Sequence, residues 1–345
     1  MAVLLYPKNG EEFSVTTDFA ARFADDVRRS RDEKTVQSWK MPDGYDERTA
    51  TYPASVRLSW IGGADENLSL SEDAGFWRPA RVTVVGTEEK DGVVTAEITN
   101  LLLGAEYFWR VGGGGEVRSF RTSPRGIRFL RIDRINNVRD PGGKKTADGR
   151  VVKQGMIIRG IQLEHQGDEA EELLPAGVGA MRGVVGVRTE IDLREGGAEP
   201  HARHLLGEDV GYRVIPFYDF YDVISDEGET ALRDLFDALS DPGVYPVYIH
   251  CAAGADRTGA AIGYILAALG VSEEEIYTDF AVTAFSLIPD ERIDWVGPSL
   301  YLKNDAVLRD RFGLSADHPE LMRAHLRSIG IGDDRMAALR DLLTE

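Results

Sequence analysis

The chain holds one cysteine in 345 residues, so an intramolecular disulfide is excluded. Basic residues are also scarce, with 40 Lys and Arg against 58 Asp and Glu and a net charge of −18. That balance argues against a general binder of nucleic acid or anionic membranes. No apolar run approaches the length of a membrane span, and the apolar start Val3-Leu4-Leu5 is too short for a signal peptide. A cytoplasmic protein is the expectation, with a leader removed from a secreted form left open. Histidine is sparse too. His201 and His204 stand three apart, but no cysteine or carboxylate cluster supports a metal there, and none is expected.

What is present is one dense stretch, Val247-Tyr248-Ile249-His250-Cys251-Ala252-Ala253-Gly254-Ala255-Asp256-Arg257-Thr258-Gly259. A short apolar run, a loop of small residues and a helix-length apolar run beginning at Ala260 read as strand, turn and buried helix. The loop therefore sits at a helix N-terminus, where unsatisfied N–H groups and the helix dipole favour an anion. Ala252, Ala253, Gly254 and Ala255 are small enough for the backbone to curl around a tetrahedral oxyanion, and Asp256 and Arg257 complete the ring. The same field favours the thiolate of Cys251. Arg257 can grip two phosphate oxygens with its planar fork. Thr258 is placed to hydrogen-bond the sulfur, and His250 to orient the loop. A core cysteine would explain none of these neighbours.

This stretch resembles the signature of the cysteine-dependent protein tyrosine phosphatases, in the form His-Cys-x-x-Gly-x-Asp-Arg-Thr-Gly of a bacterial tyrosine and dual-specificity branch. Asn136-Asn137-Val138-Arg139-Asp140-Pro141-Gly142-Gly143, Ile158-Arg159-Gly160 and Asp192-Leu193-Arg194 are similar to further segments of that branch. The resemblance spans about residues 127–287. It implies a cysteinyl-phosphate intermediate on Cys251, no cofactor, and supporting roles for Asp192 and Arg139. Two carboxyls compete as general acid. Asp256 lies inside the loop, and Asp219 lies 32 residues before Cys251. The substrate it implies is a phosphotyrosine protein or peptide. A phosphoinositide or inositol phosphate is the alternative, disfavoured because Ala255 stands where relatives acting on those lipids often carry Lys. A rhodanese or arsenate-reductase type and a dead phosphotyrosine-binding module fit less well, since no resolving cysteine exists and the reactive residues are intact.

Around this element the chain divides. From Val3 to about Thr122 short alternating segments are punctuated by Gly62-Gly63, Asp91-Gly92 and Gly112-Gly113-Gly114-Gly115, which predicts an all-β sandwich. The run from Leu101 to Val111 resembles the tyrosine corner of fibronectin type III domains. Phe19, Phe23 and Val27 at helical spacing, capped by Thr17 or Asp18, predict a helix within an insertion at about 18–48 that packs on the sandwich. The expected domains are 1–124, free of catalytic groups and suited to recruiting a protein partner, and 125–345, an α/β domain with a largely parallel sheet flanked by helices. In it, Asp226 to Leu239 reads as an amphipathic helix stopped by Asp241-Pro242-Gly243, and leucines after Leu321 as terminal helices. Between Arg128 and Arg159 nine basic residues stand against three acidic ones, a surplus that could steer a phosphorylated substrate or simply be a solvated surface.

Overall fold

The structure is a computed structural model that describes residues 2–30, 51–63, 65–164, 173, 175–194, 205–218, 222–285, 299–313 and 315–345. It resolves into two compact units, one of residues 1–21 and 52–131 and one of residues 22–51 and 132–345. The chain therefore enters the second unit, leaves it and returns.

The first unit carries β1 (Val3–Tyr6), β2 (Glu11–Phe13), β3 (Val56–Ile61), β4 (Leu68–Ser71), β5 (Thr83–Lys90), β6 (Val93–Thr99), β7 (Glu106–Val111), β8 (Arg118–Thr122) and a two-residue strand β9 (Arg128–Phe129). Two four-stranded sheets form, in the orders β1-β3-β6-β5 and β2-β8-β7-β4. Strict alternation is why they pack: β3 buries Val56, Leu58 and Trp60, and β7 buries Tyr107, Trp109 and Val111. These side chains share one core with Val94, Ala96, Ile98 and Phe120. The Tyr107 hydroxyl accepts the Leu102 backbone N–H at 2.9 Å, which ties the turn before β7 to that strand. Trp60 and Trp109 are core residues, and Trp77 is 86% exposed.

Helix α1 (Asp18–Ser30) forms where its spacing predicted, with the Ala20 N–H donating to Thr17 Oγ1 at 3.3 Å, and it buries Phe19, Phe23 and Val27. The sequence attached the whole insertion to the sandwich. The division into units instead puts residues 22–51 with the second unit, where Arg28 pairs with Glu275 at 3.0 Å. Residues 31–50, which hold the rest of the insertion, lie outside the described residues.

In the second unit β10 (Arg139–Asp140), β11 (Ile157–Gly160), β12 (Thr189–Asp192), β13 (Gly211–Val214) and β14 (Val247–His250) run across the sheet in the order β13-β12-β14-β11-β10. β13, β12, β14 and β11 are mutually parallel, and β10 is antiparallel to β11. Helices α2 (Pro175–Gly179), α3 (Asp226–Leu239), α4 (Asp256–Leu269), α5 (Glu273–Ala281), α6 (Ser299–Phe312), α7 (His318–Ser328) and α8 (Asp333–Leu343) accompany the sheet. α3 begins at the Ser225 cap and presents Leu232, Leu235, Phe236 and Leu239 to the core. α4 is buried from Thr258 to Leu269, as a helix apolar on all sides must be. In register, Gly160 and Asp192 both pair with His250, so β11, β12 and β14 end level with one another. Ligand loops of such sheets sit at those carboxyl ends. No helix among the described residues is long and apolar enough to cross a membrane.

Candidate active site

The turn from β14 to α4 is narrow because Gly254 is left-handed, with φ +65°, and a Cβ there would stand 2.3 Å from the Gly160 carbonyl oxygen. Cys251 opens the turn and is 3% exposed. Arg257, half-buried in the first turn of α4, makes no ion pair or side-chain hydrogen bond among the described residues. An uncommitted guanidinium at a helix N-terminus is available to an anion.

Four successive carbonyls of the turn are tied to the scaffold. Cys251 O accepts His250 Nδ1–H at 3.1 Å, and Ala252 O accepts the Gln162 N–H at 3.1 Å. Ala253 O and Gly254 O accept Asn137 Nδ2 at 3.1 and 3.2 Å, and Gly254 O also accepts Arg159 Nη2 at 2.7 Å. A trans peptide sets its N–H opposite its C=O. The N–H groups of Ala252, Ala253, Gly254 and Ala255 are thus left on the other side of the turn, and none of the four donates to a described residue. Free donors converging in this way form an anion nest.

Each brace has its own footing. Beneath β14, His250 is fully buried and its Nε2 meets Glu190 Oε1 at 2.9 Å. Burial works against its charge, but the Glu190 hydrogen bond and charge, with Asp192 and the Cys251 carbonyl, outweigh burial and raise its pKa. On one flank, Asp192 accepts Arg194 Nε at 2.9 Å and the Tyr212 hydroxyl at 2.7 Å, and Arg194 Nη1 reaches Gln162 Oε1 at 2.7 Å. Burial would raise the Asp192 carboxyl, yet the Arg194 hydrogen bond and the neighbouring charge of His250 hold it well below the usual range. Asp192 therefore reaches the turn through Arg194 and Gln162.

On the other side, Arg139 donates to Asn137 Oδ1, to Asp279 Oδ1 at 3.1 Å, to the Asp279 carbonyl at 2.7 Å and to Thr283 Oγ1 at 2.8 Å. Burial would raise Asp279, but Arg139, Arg159 and Lys144 together keep it far below the ordinary carboxylate range. The basic surplus between Arg128 and Arg159 is thus partly internal, although Arg150 stays at the surface. Arg139 and Arg159 are 0% exposed, Lys144 pairs with Glu275 at 3.3 Å, and Arg150 pairs with Asp148 and Asp341.

Of the residues predicted from sequence, His250, Cys251, Ala252, Ala253, Gly254, Ala255, Asp256 and Arg257 form the turn itself, and Asp192 and Arg139 brace it. Thr258 Oγ1 is buried and makes no hydrogen bond among the described residues, the sulfur included. Asp256 is half-buried as the first residue of α4. Asp219, His201 and His204 lie outside the described residues. Asn137 and Arg159 stood in the matching segments without a role, and Glu190, Gln162, Asp279 and Thr283 were not picked out. Asp279 stands among Ile276, Tyr277, Phe280 and Ala281 in the buried half of Glu273–Ala281, and a carboxylate between such neighbours is the signal that would have found one of them.

The chain is similar to known proteins. The chain is 28% identical over 183 residues to a curated "Putative tyrosine-protein phosphatase" of Cupriavidus necator, a match covering 46% of this chain and 64% of that one. The crystal structure of the core catalytic domain of the PP-IP phosphatase SIW14 from S. cerevisiae, in complex with citrate, is matched at 17% identity with a TM-score of 0.29, over 40% of this chain and 79% of that one. The model of the tyrosine phosphatase family matches residues 130–345, well over half the chain and the whole stretch that builds the cysteine turn, and the protein belongs to that family.

Proposed function

We propose that the chain is a phosphomonoesterase acting through a covalent cysteinyl-phosphate, with phosphotyrosine in proteins as its substrate class. The observation that carries this is the turn with its four carbonyls bound behind, leaving open N–H groups beside Cys251 and an uncommitted Arg257. The Cys251 thiolate attacks phosphorus, the P–O bond to the alcohol breaks, and its electron pair leaves on oxygen, which a carboxylic acid protonates. The nest and Arg257 stabilise the equatorial oxygens as charge builds on them. Water then attacks the thiophosphate, releasing inorganic phosphate and the thiolate.

Cys251→Ser tests this. A serine hydroxyl is far less ionised than a thiolate, so turnover should vanish while the fold and tungstate binding persist. More than about a tenth of wild-type kcat in that variant would overturn the mechanism. EDTA should leave wild-type activity unchanged. A panel of phosphotyrosine peptides, phosphoinositides and inositol phosphates ranked by kcat/KM decides the substrate. The phosphotyrosine arm is favoured because the nest side chains offer one uncommitted cation, Arg257, and Ala255 adds none.

For the first unit we infer a fibronectin III-like or immunoglobulin-like sandwich that recruits a protein partner. Its strand orders put β1, β3, β6 and β5 in one sheet and β4, β7 and β8 in the other, the division of constant-type immunoglobulin sandwiches, with β2 added in parallel to β8 at the edge of the second. Its loop at 71–78 is tied by Asp73, which accepts N–H bonds from Gly75, Trp77 and Arg78, and it holds Trp77 out to solvent. An ordered, exposed tryptophan is the residue type that anchors protein interfaces. Trp77→Ala should leave kcat on a small aryl phosphate unchanged and weaken capture of a phosphoprotein substrate.

A further inference from the structure

Behind the cysteine turn the protein buries more positive charge than it neutralises. Arg139 and Arg159 are both fully buried, and they share one carboxylate, Asp279, through Oδ1 at 3.1 Å and Oδ2 at 2.5 Å. The next acid on the same helix, Glu275, is itself shared by Lys144 at 3.3 Å and Arg28 at 3.0 Å. Arg28 also meets Asp25 at 3.2 Å, so among the described residues the shortfall is that of the inner group, where two arginines share the one carboxylate of Asp279. Asp140, the neighbour of Arg139 along β10, points to the opposite face as strand geometry requires, and its oxygens accept the N–H groups of Gly142 and Gly155. Arg159 is also short of acceptors, because its Nε–H is buried with no partner.

A buried cation without a full counter-ion is costly, and a chain of net charge −18 has no shortage of carboxylates to supply. The crowding shows in Arg139, which burial and the like charge of Arg159 push down to about 10, still charged at neutral pH. The uncompensated charge meets the turn directly in the 2.7 Å bond from Arg159 Nη2 to the Gly254 carbonyl, and Arg139 reaches the turn only through the Asn137 amide. That carbonyl belongs to the peptide whose N–H, on Ala255, lies at the head of α4 and faces the nest. A cation on the oxygen side of a peptide makes its N–H a stronger donor.

We propose that Arg159 is a positioning residue that delivers positive charge to the nest through the Gly254–Ala255 peptide, and that the anion held there, thiolate or phosphoryl group, is the counter-ion that Asp279 leaves missing. This rests on reading the turn as the phosphoryl site. It adds a second cationic contribution, fixed and dry, to the half-buried one of Arg257.

Charge can be separated from bracing by titrating tungstate, a tetrahedral dianion, into the full-length protein. Arg159→Gln keeps an amide donor for Gly254 but removes the charge, and it should weaken tungstate about tenfold. It should also move the iodoacetamide alkylation profile of Cys251 to higher pH. Arg159→Lys keeps the charge and should stay within roughly threefold of wild type. The double variant Arg159→Gln/Asp279→Asn restores the net charge with the brace doubly broken, so it should bind more tightly than Arg159→Gln alone. A double variant no better than the single one, or a Lys variant as weak as the Gln variant, overturns the proposal. Should Arg159→Gln fail to fold, Asp279→Asn raises the net charge by one and should tighten tungstate; unchanged or weaker binding overturns it equally. If wild type binds no tungstate, the phosphoryl reading falls first. If it binds one per chain and is thereby protected from alkylation, while Arg159→Gln behaves as wild type, only the role of Arg159 falls.

Discussion

The side-chain amide of Asn137 spans two successive carbonyls of the cysteine turn, Ala253 at 3.1 Å and Gly254 at 3.2 Å, from 116 and 117 residues away in the chain. Its backbone is left-handed, with φ +59°, a conformation that asparagine tolerates better than most residues. Asn137→Gly relieves the backbone and removes the side chain, and with it both carbonyl bonds and the acceptor of Arg139 Nη1. Losing them should cost about 1–3 kcal/mol of transition-state stabilisation, a fall of roughly ten- to a hundredfold in kcat/KM. Asn137→Ala adds the backbone cost and should be less stable by thermal melt. Wild-type kcat/KM in Asn137→Gly would show that the carbonyls hold their direction without it.

Asn137 also ties the site to residues that the sequence assigned to the other domain. Its backbone N–H donates to Thr51 Oγ1 at 3.0 Å, and Arg28 supports Glu275 beside Lys144. From sequence alone, a chain beginning at Gly126 should keep its kcat. The structure predicts otherwise. Removing residues 1–125 deletes Thr51 and Arg28, leaves the buried Asn137 N–H without its acceptor, and should cost about 1–3 kcal/mol. That chain should melt lower and hydrolyse a small aryl phosphate more slowly than the full-length protein. Equal melting and equal kcat would show the segment 22–51 to be dispensable.

These cases show what was legible and why. The turn from His250 to Thr258 is one contiguous segment, and its chemistry follows from neighbours in sequence. β14 and α3 were legible for the same reason, since period and caps are local properties. The bracing of the turn is not local. Asn137, Arg159, Glu190 and Asp279 come from four elements, and each alone reads as an ordinary polar residue. Only the parallel register that levels β11, β12 and β14 brings them under one turn. The β pattern of the first unit was readable, but α1 carries a stripe whose partner no periodicity names.

The Glu190–His250 pair predicts a pH-dependent stability. The folded pKa of His250 is raised above its ordinary value of about 6.5, so the protonated ring stabilises the fold fully below that value. The contribution is lost as pH rises through the folded value. Glu190→Gln keeps an acceptor at 2.9 Å but removes the charge. The melting-temperature gap between wild type and Glu190→Gln should therefore be widest near pH 6 and narrow toward alkaline pH. A gap that stays constant across that range would mean the ring is neutral throughout, with the hydrogen bond alone stabilising it.

Gly254 offers a steric test. With φ +65° and a Cβ position 2.3 Å from the Gly160 oxygen and 2.5 Å from its carbonyl carbon, alanine cannot enter without moving β11 or opening the turn. The obstacle is backbone, which cannot swing aside as a flexible side chain would. Gly254→Ala should abolish tungstate binding and lower kcat at least a hundredfold, on the order of 3 kcal/mol, which strained backbone of this kind can cost. Near-wild-type kinetics in a folded Gly254→Ala protein would mean the turn has an alternative path.

In the proposed reaction Asp256 and Asp219 compete for the role of general acid. An aryl oxygen leaving from phosphotyrosine has a conjugate acid of pKa about 10, so unassisted departure at neutral pH is slow. Asp256 opens α4 five residues after Cys251, half-buried and next to Arg257. A carboxylate beside the phosphate-gripping arginine is an electrostatic cost at an anion site unless it carries a proton for the leaving group, which is the case for Asp256. Bracing of the turn is its competing role. Asp219 has the spacing of a separate acid loop and lies outside the described residues. A series of aryl phosphates with graded leaving groups separates them. An enzyme that has lost its acid suffers most with poor leaving groups and little with good ones, whereas a loosened turn slows all of them alike. Asp256→Asn should show the steep dependence, with kcat on phenyl phosphate falling at least a hundredfold and kcat on a nitrophenyl ester falling far less. Asp219→Asn should show a flat profile. If the slopes come out reversed, Asp219 is the acid and Asp256 braces the turn; if both profiles are flat, neither carboxyl donates the proton.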